Sequence, residues 1–170
     1  MSIHTCIYHS PCGELLLGSY EGKLCLCDWL QEKRRTAIDR RLQRHLGSEY
    51  EERTDDTLEL AIRQLDEYFA RKRNTFSVPL LSVGTEFQKQ VWQVLQKIPY
   101  GETWTYRKET EVYGNPKAVR AVAQANKANS ISIFVPCHRV IGSNGTLTGY
   151  GGGLEAKWYL LELETGNLFL

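Results

Sequence analysis

The chain has 170 residues, 42% hydrophobic and 24% charged, with 21 Lys and Arg against 20 Asp and Glu for a formal net charge of +1. That balance belongs to an ordinary globular protein and excludes a disordered chain. Nowhere do about 18 apolar residues run together, and MSIHTCIYHS lacks a basic region followed by a long apolar stretch, so neither a membrane span nor a secretory signal is expected and the chain reads as intracellular and cytoplasmic.

Ile3 to Tyr8, Glu14 to Tyr20 and Lys23 to Trp29 have strand composition and are joined by Ser10-Pro11-Cys12-Gly13 and Glu21-Gly22 turns, which predicts an antiparallel meander. A polar helix is expected over Thr36 to Leu46, ending near Gly47. A stronger one follows Asp55 and Asp56, with Leu58, Ala61, Ile62, Leu65, Tyr68 and Phe69 at helical spacing. Ser77 to Leu81 reads as a strand or an extended crossing, and Ser82-Val83-Gly84 as a domain boundary, giving an N-terminal domain over 1–83 and a C-terminal one over 84–170. Thr85-Glu-Phe-Gln88 is a capping-box pattern opening a helix that buries Phe87, Val91, Val94, Leu95 and Ile98 and closes at Pro99-Tyr100-Gly101. A short helix from Thr105 ends at Gly114. Asn115 then caps a third helix with Pro116 in its first turn, where a missing N–H costs nothing. Two short helices across a tight glycine turn suggest a helix-turn-helix.

The sides of that third helix differ. Lys117, Arg120, Gln124 and Lys127 fall on one stripe, with the small Ala121 among them, while Ala118, Val122 and Ala125 form the opposite packed face. From Val112 to Leu154 there are four Lys and Arg, at 117, 120, 127 and 139, and no acid. A cationic face built otherwise from small side chains suits close approach to a nucleic-acid backbone, although a solvated face of a surface helix has the same pattern.

Chemistry concentrates further on. Ile131 to Val135 reads as a β-like run delivering Pro136-Cys137-His138-Arg139, with Val140-Ile141 leading into a Gly142-Ser-Asn-Gly145 turn. In a regular strand Cys137 and His138 would point to opposite faces, so their partnership needs irregular backbone or a bridging water, and Pro136 helps by ending regular pairing. A nucleophilic thiol needs a neighbouring base, and the base a third group to orient it; Glu155, Glu162 and Glu164 are available downstream. Cys6, Cys12, Cys25 and Cys27 read as inert core thiols. Five cysteines without a C-x-x-C spacing argue against a disulfide framework, and His4, Cys6, His9 and Cys25 match no standard zinc spacing. No metal is expected.

VPCHRVIG followed by GTLTGYGGG and KWYLLELE, with TEFQKQVWQVLQKIPYGET, TYRKE and GNPKAVRAVAQANKANS upstream, resembles the O6-alkylguanine-DNA alkyltransferases, and the resemblance runs from Thr85 to Gly166 and more loosely through the N-terminal meander. It implies a two-domain α/β protein, with an N-terminal RNase H-like α/β domain carrying an antiparallel sheet and a mainly helical C-terminal domain containing a helix-turn-helix. It also implies a cofactor-free monomer that binds duplex DNA in the minor groove, extrudes an alkylated base and takes the alkyl group permanently onto Cys137. By the same resemblance His138 draws the thiol proton through a water, Glu164 holds His138, and Asn129 ties the helix-turn-helix to the active-site segment. Arg120 fills the vacated stack, while Tyr106 turns the 3′ phosphate and donates toward O6. Lys117, Ala121, Gln124 and Lys127 are implied to face DNA. Val135, Tyr150, Gly151, Gly152 and Lys157 are implied to form or back the guanine pocket. Glu109 and Glu111 stand where the family usually has apolar or small residues. A regulator that binds DNA without chemistry, and a Cys-His hydrolase, are the rival classes; the second lacks a visible oxyanion motif.

Overall fold

The computed structural model describes residues 1–31 and 33–166, so Glu32 and the last four residues of the expected second domain lie outside the description. The chain opens with β1 (Ile3–Ser10), β2 (Gly13–Tyr20) and β3 (Lys23–Trp29), paired antiparallel as the alternating sequence requires. Gly18 sits where β2 bulges against β3, and a Cβ there would lie 2.9 Å from the Leu26 Cβ, too close for any side chain. α1 (Arg35–Leu46) ends at Gly47 in the left-handed conformation, which costs glycine least. β4 (Tyr50–Glu52) then pairs parallel to β1, giving the sheet order β3-β2-β1-β4. Nothing in the sequence reading anticipated β4: it is three residues long and acidic, the character that protects an exposed sheet edge and hides it from a pattern search. Asp55 caps α2 (Asp56–Phe69) by accepting from the Leu58 N–H at 2.8 Å, and Leu58, Ala61, Leu65 and Tyr68 turn the expected stripe onto the sheet.

The outer edge of β3 carries two later segments. Leu24 donates to Pro79 O and accepts from Leu81 N, both at 2.8 Å, which makes 77–81 an extended crossing with a single bridge at Leu80. Cys27 donates to Ser130 O at 2.8 Å and accepts from Ser132 N at 2.7 Å, docking the segment ahead of Cys137 onto the N-terminal sheet. The β-like run expected over Ile131 to Val135 shrinks to two isolated bridges, Ile131 to Cys27 and Ser132 to Val135. Ile133 takes a φ of 74° and the chain folds back, with Phe134 N–H donating to Ser132 O and Val135 N–H to Ile131 O, both at 2.9 Å.

α3 (Glu86–Leu95) begins with both halves of the Thr85/Gln88 capping box formed. After β5 (Trp104–Thr105), α4 (Tyr106–Tyr113) ends at Gly114 with φ 105°. The expected third helix is split into a 3₁₀ turn over Pro116–Ala118, capped by Asn115, and α5 (Val119–Lys127). β6 (Val140–Ile141) pairs parallel with β5, and α6 (Leu154–Thr165) closes the described chain. One core cluster runs through both halves of the chain, joining Leu15, Leu17 and Leu65 to Leu95, Val140 and Leu160. A smaller one under the helix-turn-helix unites Val91, Val122 and Ala125 with Phe87 and Tyr113.

Glu109, out of keeping with its expected surroundings, is fully buried on α4 and accepts from Asn126 Nδ2 of α5 at 2.8 Å, while Glu111 is exposed and paired with Arg107. Burial pushes the Glu109 carboxyl up to about 7, against the opposing Asn126 bond. A carboxyl raised on folding binds more protons folded than unfolded, so its contribution weakens as pH rises from the unfolded value of 4.5 through about 7. Glu109→Gln keeps the shape and removes the ionisation. We expect it to raise the melting temperature by several degrees at pH 8, worth about 1–3 kcal/mol, and to change it little at pH 5, as thermal unfolding at the two pH values will show.

Candidate active site

Cys137 opens a 3₁₀ turn, Cys137–Arg139, and this irregular backbone removes the obstacle that a strand would pose to Cys137 and His138 acting together. Asn129, buried beyond the end of α5, organises the turn. Its Nδ2 donates to Val135 O at 2.9 Å and lies 3.3 Å from Cys137 Sγ, while its Oδ1 accepts from Ile131 N at 3.0 Å. The thiol is half-buried. Burial pushes it up to about 11, opposed by Asn129 and by the positive Lys157, which keeps the thiol protonated at pH 7. A thiol so placed needs a base.

His138 is fully buried next to it. Its Nε2 lies 2.7 Å from Glu164 Oε2, and its Nδ1 has no protein hydrogen-bond partner. Burial lowers the imidazole's proton affinity against the pull of Glu164, so the neutral form is favoured. Of the three downstream acids, Glu164 is therefore the one that reaches His138. Its carboxylate also accepts from Tyr68 OH at 2.5 Å and from Arg139 Nε and Nη2 at 2.7 and 3.1 Å, and Arg139 in turn donates to Ile98 O at 2.7 Å. Burial alone would raise Glu164, but His138 and Arg139 outweigh it and hold the carboxyl below the usual range.

In front of the thiol lies a cavity of about 260 Å³ lined by Tyr106, Asn126, Asn129, Ser132, Tyr150 and Gly151, with Asp28, Lys33, Arg34 and Ile38 contributed by the N-terminal half. Tyr106 OH is 2.8 Å from Thr148 Oγ1, and burial raises its phenol, so it stays protonated. Val135, Gly152 and Lys157, expected at the pocket, do not line it. Val135 is 1% exposed and packs into the main core, its carbonyl taken by Asn129. Gly152 lies flat on the Trp29 indole, where a Cβ would come within 2.5 Å of the ring. Lys157, buried in α6, donates to Val140 O at 2.6 Å and Thr148 O at 3.3 Å, tying β6 to the loop that carries Tyr150. Without a close carboxylate in those contacts, burial brings its ammonium down to about 8. Lys117, Arg120, Ala121, Gln124 and Lys127 are all exposed, and Val122 and Ala125 buried, as the two-sided pattern requires. Sequence reasoning missed Arg139 and Tyr68 as Glu164 partners, and the N-terminal residues at the cavity. Tyr68 looked like one more apolar position of α2.

Two family models cover this chain: the ribonuclease-like domain of 6-O-methylguanine DNA methyltransferase over residues 3–81, and the DNA binding domain of 6-O-methylguanine DNA methyltransferase over residues 86–166. The chain belongs to the O6-methylguanine-DNA methyltransferase family. Its relatives in that family include the methylated-DNA–protein-cysteine methyltransferase of Methanosarcina acetivorans, 46% identical over 158 residues that make up 93% of this chain and 96% of the relative. The constitutive enzyme of Bacillus subtilis is 45% identical over 161 residues, 91% of each chain. Among solved structures, Mycobacterium tuberculosis OGT in complex with DNA superposes with a TM-score of 0.82 at 40% identity, covering 96% of this chain and 93% of that one. The mixed architecture, a sheet domain followed by a helical DNA-binding domain, is that of the methyltransferase family.

Proposed function

We propose that the protein is a methylated-DNA–protein-cysteine methyltransferase that repairs DNA directly, moving the alkyl group of O6-alkylguanine, and less readily of O4-alkylthymine, irreversibly onto Cys137. The observation that carries this reading is the junction of Cys137 at the cavity with the buried His138–Glu164 pair behind it, in a chain whose relatives bear that enzyme's name. Nε2 being committed to Glu164, Nδ1 is the imidazole nitrogen left to receive the thiol proton through a water. The thiolate attacks the alkyl carbon, the S–C bond forms as the C–O6 bond breaks, and the electron pair stays with guanine. Tyr106, protonated and at the cavity, supplies a proton to the departing base so that it leaves neutral; burying an anionic leaving group would be costly. Asn129 orients the thiol, and Tyr150 with Gly151 walls the base.

The target atom is out of reach in stacked duplex, so the base is flipped. Lys117, Gln124 and Lys127 meet the backbone, Ala121 permits close approach in the minor groove, and Arg120 enters the emptied stack. We expect Arg120→Ala to slow transfer from duplex DNA by about tenfold or more, unstacking being worth a few kcal/mol, and to leave transfer from free O6-benzylguanine unchanged. Comparing the two rate constants checks this. The chain divides at 82–84 into a supporting domain over 1–83 and a DNA-binding and transfer domain over 84–170, a division supported by the separate family matches. It acts as a monomer in the compartment that holds DNA, the cytoplasm. Incubation with excess radiolabelled O6-methylguanine duplex tests the reaction class: label on protein should plateau at one methyl per chain, whereas continued turnover or no label would refute suicidal repair.

A further inference from the structure

Two carbonyls at the C-terminal end of α5, that of Ala125 in its last turn and that of Ala128 at its C-cap, accept from side chains of other elements. Trp92 Nε1 of α3 donates to Ala125 O at 2.8 Å, and Arg41 of α1 donates through Nη2 to Ala128 O at 2.7 Å. The Arg41 guanidinium also lies over the Trp92 ring, 5.6 Å from its centroid, so the two donors brace each other. Ala128 immediately precedes Asn129, whose amide holds the Cys137 turn. Next along, Ser130 Oγ donates to Cys25 O at 3.1 Å and Ser130 O accepts from Cys27 N at 2.8 Å. The joint between the DNA-facing helix and the thiol segment is thus held on one side by α1 and on the other by β3, both N-terminal elements. A cation at a helix C-terminus is favoured by the helix dipole; burial lowers the Arg41 guanidinium, opposed in part by Asp28 and Tyr50.

We infer that Arg41 is a positioning residue for alkyl transfer from DNA: by fixing the Ala128 carbonyl it sets the distance and angle between α5, which delivers the flipped base, and Cys137, which receives its alkyl group. Supporting the joint is then a specific task of the N-terminal domain. The inference rests on the methyltransferase reading above. Asn129 keeps its own bonds to Val135 O and Ile131 N when Arg41 is lost, so the thiol pocket itself stays formed and only the hand-off from α5 suffers.

The experiment measures second-order rates of transfer to wild type, Arg41→Ala and Arg41→Lys from duplex O6-methylguanine and from free O6-benzylguanine, together with affinity for undamaged duplex. In Arg41→Ala the rate from duplex should fall by about tenfold, the scale of a lost charged hydrogen bond, and the rate from free base by less than about threefold, with affinity for undamaged DNA unchanged. Arg41→Lys, one donor in place of a fork, should lie between, and it serves alone if the alanine variant does not fold. Equal falls in both rates would make Arg41 merely structural; a matching fall in affinity for undamaged DNA would make it a phosphate contact; no fall in either rate would leave it without a role. Each of these overturns the inference. Wild type run alongside keeps the parent reading separate, since no methyl on wild-type protein would refute the methyltransferase assignment whatever Arg41 does.

Discussion

Cys137→Ser should abolish alkyl transfer while leaving the fold and the recognition of lesion-containing duplex in place. Serine fits in the space of the thiol and keeps an acceptor for the Asn129 amide, so neither the Asn129 bonds to Val135 O and Ile131 N nor the cavity walls are disturbed. What it loses is nucleophilicity. A thiol pushed up to about 11 already depends on His138 to yield its proton, and an alcohol is harder still to deprotonate and less polarisable toward carbon. The rate should drop by more than about 10⁴-fold, beyond detection, given that removing the nucleophile of a comparable catalytic unit costs about 10⁶. Methyl transfer and equilibrium binding to an O6-methylguanine duplex, measured on the same preparation, separate the two effects. Loss of both would mean that the thiol holds the pocket together as well as reacting.

Glu164→Ala should be the most damaging single change to stability. One buried carboxylate receives Tyr68, His138 and Arg139 together, and its removal leaves a buried guanidinium without its carboxylate, held by Ile98 O and the face of the Tyr100 ring. Breaking a buried pair from one side costs about 3–5 kcal/mol, which corresponds to a loss of about 10 °C or more in melting temperature for a chain of this size. The pH dependence carries a sign that identifies the group. A carboxyl held below its unfolded value of 4.5 stabilises the fold above that value and loses the contribution as pH falls through the folded value. Wild type should therefore destabilise on acidification below about pH 4.5 more steeply than Glu164→Ala, in thermal melts taken across that range. Transfer should fall in the variant as well, because His138 loses the bond that fixes its ring.

Local chemistry was what the sequence disclosed best. The Thr85/Gln88 capping box and the Asn115-Pro116 start each involve neighbours a few residues apart, so they could be read directly, and both formed. The polar stripe through Lys117, Arg120, Gln124 and Lys127 was visible because helical periodicity sorts faces without knowledge of the tertiary fold. Cys137 and His138 announced themselves by type and adjacency, but residue chemistry alone left three acids open, and the resemblance selected Glu164. Its bonds to His138, Arg139 and Tyr68 cross 26, 25 and 96 residues, separations over which sequence patterns carry no contact information. Backbone irregularity was equally hidden. A β-branched Ile133 in the left-handed region contradicts local preference, and it is tolerated because the bridge to β3 and the Asn129 bonds over-determine the turn. Arg41 looked like one basic residue among many in a polar helix until the fold placed Ala128 beside it.

The most direct test of the account is to treat the protein with duplex DNA carrying a single O6-methylguanine and to locate any added mass by peptide mass spectrometry. The account predicts one methyl group per chain, on Cys137, with unmodified guanine recovered in the duplex. Tight lesion binding with Cys137 unmodified, or methyl on another residue, would contradict it.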